Sequence, residues 1–383
     1  VSTRVSIGLG TADAGLAAPA GMPHATLDLG AAHPTAHGVL RLELEVDGET
    51  IVRADPVVGH VHRGAEKLLE SRDYRQGLAL VNRHDWVSAY SGELGLALTV
   101  ESMLGLEVPE RAVWLRTLYA ELTRTLAHLA FLGTFPVDGR PGGYVGFGER
   151  EAAVRHLEES TGGRLHHMAV RIGGLADDVP DGWLDGLAPV VAGLGSALDR
   201  IESEVLAPVS ATYAGAGAIA REVLLAHGAS GAVGRAGGVD LDLRRDEPYL
   251  AYAELGEVLR VPVRTASDVP ARLEVTLEQA RAALDLVRGC ADRLRTIEGP
   301  VDTPLPKVLK APEGVGHGAV ESPLGAAGYV VVSRGEKTPW RVKLRTPSFA
   351  HASLLGEVLA GTRTRDLAAT VCSLFLVIGD IDR

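Results

Sequence analysis

The stretch LGAAHPTAHGVLRLELEVDGETIVRADPVVGHVHRGAEK, Leu29 to Lys67, decides the reading of the chain. Its middle alternates: Leu40, Leu42, Leu44 and Val46 are apolar, with Arg41, Glu43 and Glu45 between them. A period of two is the pattern of a half-buried strand. Asp47-Gly48 is a hairpin turn signal, so a second strand is expected over Thr50 to Val57. Polar clusters flank this hairpin. His33 and His37 precede it in HPTAHG, and His60, His62, Arg63, Glu66 and Lys67 follow it. Titratable groups gathered at one end of a rigid element are how a fold positions chemistry. Taken singly, His33 or His60 reads equally well as a solvated loop residue, whereas the whole cluster favours a site.

Working outward, residues 1–27 are rich in glycine and alanine without clean periodicity, and an arm is expected there. Two helices are expected between Glu66 and Gly105, and a third, long and amphipathic, follows Val108-Pro109. Its apolar positions include Trp114, Leu118, Leu122 and Leu126; its polar positions include Arg116, Glu121, Arg124 and His128. His128 reads best as a core histidine. Further helices are expected over Glu149–Ser160, Trp183–Val205 and Leu273–Thr296. Turns and short strands are expected from Ser230 to Val263, and a proline- and glycine-rich connector from Val301 to Gly325. A late hairpin is expected, with Tyr329–Val332 and Trp340–Leu344 as its strands. Near the end, a helix is expected over Ala352–Leu359. The fold class is therefore α+β: a central helical bundle with an N-terminal β-hairpin region and a late β-hairpin.

Composition narrows the function. The 383 residues carry a net charge of −11, which argues against nucleic-acid binding. No apolar run is long enough to span a bilayer, and the N-terminus lacks the pattern of a signal peptide. The two cysteines, Cys290 and Cys372, stand alone, which excludes a CxxC metal site. Cys290 falls in an expected helix and reads as a buried thiol. Adjacent His166 and His167, if helical, would point about 100° apart and would not share a metal. The glycine-rich segment VDGRPGGYVGFGER, 137–150, fits no P-loop or GxGxxG spacing.

A set of strings in fixed order carries a resemblance: HPTAHG, ADPVVGHVHRGAEK, NRHD, ELTRTLAHLAFLGT, GERE, RLHHMAVRIGG, GRAGGVDLDLR, PYLAY, PWRVKLRTPSF and the terminal GDIDR. Together they resemble the 49 kDa/D subunit of respiratory complex I, a fold similar to the large subunit of nickel-iron hydrogenases. The resemblance runs over residues 28–383, read as one domain. It implies a peripheral-arm subunit of an ion-translocating NADH-quinone oxidoreductase, on the cytoplasmic side of the cell membrane. The chain itself would bind no cofactor. Quinone would be its substrate, in a cavity shared with a small iron-sulfur (B-like) subunit. NADH, FMN and the iron-sulfur clusters would sit in partner subunits, and a C-like 30 kDa subunit and a membrane H-like subunit would be neighbours.

Residue by residue, the resemblance makes His37 the group that hydrogen-bonds and protonates a quinone carbonyl. Imidazole is the side chain whose ordinary titration lies near neutrality, which suits that task. Asp138 matches the carboxylate behind that histidine. Arg83 and His166 match residues near the partner's terminal cluster, and His33 and Arg63 match the surrounding shell. Trp86 stands where the family has a tyrosine that donates to the quinone. Its indole N–H can donate a hydrogen bond but does not transfer a proton as a phenol does. Other departures are Gly139-Arg140-Pro141-Gly142-Gly143 after Asp138, Gly325-Ala326-Ala327-Gly328 in a late turn, and Phe375-Leu376 in place of Asp-Pro. They imply a divergent second copy. Two alternatives stay open: a non-catalytic scaffold that keeps the partners, and a subunit of a membrane-bound hydrogenase-like or ferredoxin-dependent complex.

Overall fold

The computed structural model describes residues 2–10, 19–30, 32–136 and 143–383. The expected hairpin is present. Strands β3 (Leu40–Asp47) and β4 (Thr50–Val57) pair antiparallel, and Gly48 takes φ +62° in the turn between them. Leu40, Leu42 and Leu44 face the core and the intervening polar residues are half-buried, as the alternation requires.

The expected arm over residues 1–27 supplies two strands instead. β1 (Thr3–Gly10) runs antiparallel to β3, and β2 (His24–Asp28) runs parallel to β1, giving the order β2-β1-β3-β4. Val5, Ile7 and Leu9 do alternate with Ser6 and Gly8. What holds them is the open edge of β3, a distant partner that local composition does not reveal.

Helices form the centre. The long helix Glu110–Gly133 packs lengthwise against Val269–Leu294, with Ala89–Leu104, Phe147–Thr161 and Trp183–Ile201 around the pair. The Val269–Leu294 helix opens with Asp268, whose carboxylate accepts from the Ala271 N–H at 3.0 Å, and with Pro270 in the first turn. Both long helices are where the sequence places them. The segment 230–263 differs: it forms short helices at Gly231–Ala236 and Leu243–Asp246, and no strand among the described residues.

The polar side of Glu110–Gly133 does not face water. Arg116, Glu121, Arg124 and His128 are each at most 1% exposed. Buried charges must be paired, and these are. Arg116 makes a two-pronged contact with Glu101 at 2.9 and 2.7 Å. Glu121 receives Arg124 at 3.1 Å, Arg244 at 3.0 Å and the Tyr252 hydroxyl at 2.5 Å. Arg244 also grips Asp242 at 2.7 Å, and Arg235 reaches Glu321 at 2.9 Å.

The late hairpin is Ala326–Ser333 with Arg341–Arg345, extended by a third strand, Gly314–Glu321, within the expected connector. That strand escapes a pattern search because glycines fill its inward positions. A Cβ at Gly318 would stand 2.1 Å from the Thr99 hydroxyl oxygen, and one at Gly316 2.4 Å from Met103 Cγ. Glycine lets the strand lie directly on the helix Ala89–Leu104. At the other end of the chain, a short helix, Ile378–Asp382, is buried throughout.

Candidate functional site

Three loops meet on that last helix. The first is HPTAHG. His33 caps the 3-10 turn Pro34–Ala36, its Nδ1 accepting from the Thr35 N–H at 3.2 Å. The Thr35 hydroxyl donates to the Leu376 carbonyl at 2.9 Å. Gly38, at φ +100°, lies so close to Ile378 that an added Cβ would stand 2.9 Å from the isoleucine Cβ. The loop is thereby pinned on both sides of His37, which is exposed.

The second loop is GHVHRG. The carboxylate of Asp382 accepts from the N–H groups of Gly59 at 2.7 Å and Val61 at 2.9 Å, and the His62 ring lies 2.6 Å from the Asp382 carbonyl. Arg63 donates to the Arg83 carbonyl at 3.0 Å, linking this loop to the third. The third loop is NRHDW. His84 Nδ1 lies 3.1 Å from Asp380, and the half-buried Trp86 ring rests on Gly379. Gly38 and Trp86 thus pack on consecutive residues, Ile378 and Gly379. The loops of His37 and Trp86 both pack on a helix to which sequence reasoning gave no role. The available signal was the alternation of Asp380 and Asp382 within an otherwise apolar tail.

Arg83 and His166 also come together. Arg83 donates to the Asn82 side-chain oxygen, and burial followed by the Arg83 charge pushes the His166 ring below its ordinary value. Asn82 in turn donates to Glu93, which also accepts from the N–H groups of Met168 at 2.8 Å and Val170 at 3.1 Å. Glu93 therefore ties the Arg83 loop to the segment carrying His166. Burial pushes its carboxyl up to about 7. His166 and His167 lie in an irregular segment, not a helix, and His167 bonds the Gly163 carbonyl at 2.9 Å.

His33 is fully buried, edge-on to Phe131 and Phe135. Burial, and then the His37 charge, push its ring down to about 3, so it is neutral in ordinary solution. Asp138 and the segment 139–142 lie outside the described residues. Phe375 takes φ +50° and stacks on Phe131 at 4.2 Å, filling the core beside His33 with aromatic surface. Both cysteines are buried, and burial pushes both thiols up. Among the described residues no group of three or more His, Cys, Asp or Glu side chains is placed to hold a metal ion, and no helix is long and apolar enough to cross a membrane.

Helices around a buried ionic core, with small sheets at their margins and histidine-bearing loops packed on a C-terminal helix, define a mixed α/β protein. The family model for the respiratory-chain NADH dehydrogenase 49 kDa subunit matches residues 142–313 and 305–383. The chain is 50% identical to the first-copy D-type subunit of the NADH-quinone oxidoreductase of Streptomyces coelicolor, over 100% of this chain and 99% of that protein. It is 49% identical to the second-copy D-type subunit of Streptomyces griseus, over 100% and 96%. It is 36% identical to the D-type subunit of Carboxydothermus hydrogenoformans, over 93% and 98%. The chain belongs to the 49 kDa (D-type) subunit family of NADH-quinone oxidoreductases.

Proposed function

We propose that this chain forms, with a small iron-sulfur partner subunit, the cavity in which quinone is reduced within a membrane-attached NADH-quinone oxidoreductase. The observation that carries the reading is that Gly38, next to His37, and Trp86 pack on the consecutive residues Ile378 and Gly379. In this reading His37 hydrogen-bonds one quinone carbonyl and gives it a proton, and Asp138 orients the imidazole. Trp86 donates a hydrogen bond at the same pocket. Arg83 and the neutral His166 face the partner's cluster, where the fixed guanidinium charge favours arrival of an electron. Electrons originate at NADH in other subunits, and the C-like and H-like subunits border the assembly. Ion translocation belongs to membrane partners, coupled to quinone reduction here.

A scaffold without turnover is the second reading. It is favoured by Trp86, whose indole carries no transferable proton. One experiment separates the two. In the assembled complex, His37→Ala lowers NADH:quinone turnover about tenfold to a thousandfold if the histidine is the proton donor. Reduction of the partner's cluster by NADH, followed by EPR, stays unchanged because it lies upstream. Normal turnover in His37→Ala rejects the assignment. A cluster that reduces in a parent complex without turnover establishes the scaffold.

A further inference from the structure

Arg83 and His166 come from two different loops, and one buried pair of side chains, Asn82 and Glu93, fixes both. Each of the pair is 0% exposed. Asn82 closes the helix Tyr74–Val81, its N–H donating to the Leu78 carbonyl at 3.1 Å. Glu93 stands on the helix Ala89–Leu104. The two helices meet backbone to backbone: a Cβ at Gly92 would stand 2.3 Å from the Val81 carbonyl oxygen. Glycine permits that approach, and it brings the Glu93 carboxylate onto the Asn82 amide. The direction of the amide follows from its neighbours. Its nitrogen faces the Glu93 carboxylate and, at 3.4 Å, the Ala89 carbonyl. Both of those only accept, so the amide oxygen is turned to Arg83, whose guanidinium donates to it. The same guanidinium lies 4.0 Å from the Met168 sulfur.

Glu93 also grips the second loop, accepting from the Met168 N–H at 2.8 Å and the Val170 N–H at 3.1 Å. Met168 takes φ +50°, a backbone region that a residue with a side chain seldom adopts. Backbone strain held in place by its surroundings is a mark of a site where position matters. The His166 ring bonds the Asn82 main chain, and its Nδ1 is a buried atom without a hydrogen-bond partner in this chain. A half-buried guanidinium beside an unpaired ring nitrogen fits a group brought by another subunit. A cluster held by cysteine thiolates, whose potential responds to nearby charge, is such a group.

We propose that Asn82 and Glu93 are positioning residues for electron delivery: Glu93 orients the Asn82 amide, Asn82 aims the Arg83 guanidinium, and the charge so placed sets how readily the partner's iron-sulfur cluster is reduced. The inference rests on the reading that puts Arg83 and His166 at that cluster. Neither Asn82 nor Glu93 touches quinone or the cluster. Arg83 carries a permanent positive charge, and the distance at which it is held decides how strongly it favours the reduced cluster.

The test is an EPR redox titration of the cluster in the purified, assembled complex at pH 8.5, above the value of about 7 at which Glu93 titrates. Asn82→Ala changes no charge. It lowers the ratio of reduced to oxidised cluster at a fixed ambient potential about tenfold, or 59 mV for a one-electron couple. Arg83→Met lowers the ratio as well, and Asn82→Ala adds nothing in an Arg83→Met chain, because the amide acts only through the guanidinium. Glu93→Gln keeps the size of the side chain and separates positioning from simple charge. Loss of a nearby negative charge by itself would raise the ratio, whereas loss of the Asn82 orientation lowers it. An unchanged ratio in Asn82→Ala, additive shifts with Arg83→Met, or an unchanged or higher ratio in Glu93→Gln overturns the proposal. So does loss of the cluster signal in both Asn82→Ala and Glu93→Gln, since the pair would then hold the assembly together without tuning it. Where Arg83→Met shifts the ratio and Asn82→Ala does not, the positioning role alone has failed. Where Arg83→Met leaves the ratio unchanged, the placement of Arg83 at the cluster has failed with it.

Discussion

Gly379 lies against the indole of Trp86 so closely that a Cβ at position 379 would stand 2.1 Å from Cζ3 and 2.4 Å from the His84 carbonyl oxygen. One neighbour is a rigid ring and the other is backbone, so neither can swing aside. Gly379→Ala is expected to push Trp86 outward and to destabilise the chain by about 1–3 kcal/mol, as overpacking does. The KM for quinone should rise, with the Asp382 contacts to Gly59 and Val61 loosened in parallel. Thermal unfolding and quinone kinetics of the purified complex check this. An alanine variant indistinguishable from the parent in both would mean that the two residues do not meet as described.

Trp86→Tyr places a phenol at the position proposed to contact quinone. Tyrosine is smaller than tryptophan, so the variant adds no bulk over Gly379. Turnover is expected to rise, or the preferred quinone to change, with assembly intact. Steady-state NADH:quinone activity with two quinone types is the measurement. An identical ratio of activities and an identical rate would remove Trp86 from the specificity argument.

Glu93 gives a pH signature. Its carboxyl titrates at about 7 in the fold, against an ordinary value of 4.5. A folded value raised above the unfolded one means that the native state holds the proton longer. The associated stability is complete below pH 4.5 and is lost as pH rises to about 7, a change on the order of 3 kcal/mol. Glu93→Gln removes this slope. The parent's melting temperature should therefore fall between pH 5 and pH 7.5 by more than that of the variant. Equal falls would show that Glu93 ionises normally.

The hairpin β3–β4 was legible because its alternation is clean and Asp47-Gly48 closes it. The late hairpin and the two longest helices were legible for similar local reasons. The strand Gly314–Glu321 was not, because Gly316 and Gly318 trade the alternating pattern for close contact with a helix. The resemblance named His37, Trp86, Arg83 and His166, but it did not indicate what holds them. For the loops of His37 and Trp86 that is the C-terminal segment, whose Asp382 also binds Gly59 from 323 positions away, and for the segments of Arg83 and His166 it is Glu93. No local pattern encodes a contact of that separation. Nor does composition distinguish a solvated arginine from Arg124 or Arg244, which are buried.

The buried ionic core supplies the last prediction. Arg244 is 1% exposed and bridges Glu121 at 3.0 Å and Asp242 at 2.7 Å, joining the central helix to the segment after Gly238. Its charge, with that of Arg235 and Arg124, holds Asp242 well below the usual carboxylate range despite burial. Removing one arginine from such a network leaves one buried carboxylate in excess, which costs about 3–5 kcal/mol. Arg244→Met is therefore expected to lower the yield of folded chain sharply, although it keeps the apolar stem. Pairing it with Asp242→Asn removes the one carboxylate left in excess, since Arg124 keeps Glu121 and Arg235 keeps Glu321, and a large part of the loss should return. A double-mutant comparison of unfolding midpoints reads this coupling directly. If Arg244→Met alone is as stable as the parent, the arginine fills space and its charge contributes nothing. If the double variant is no better than Arg244→Met, the loss comes from packing and not from an unpaired carboxylate.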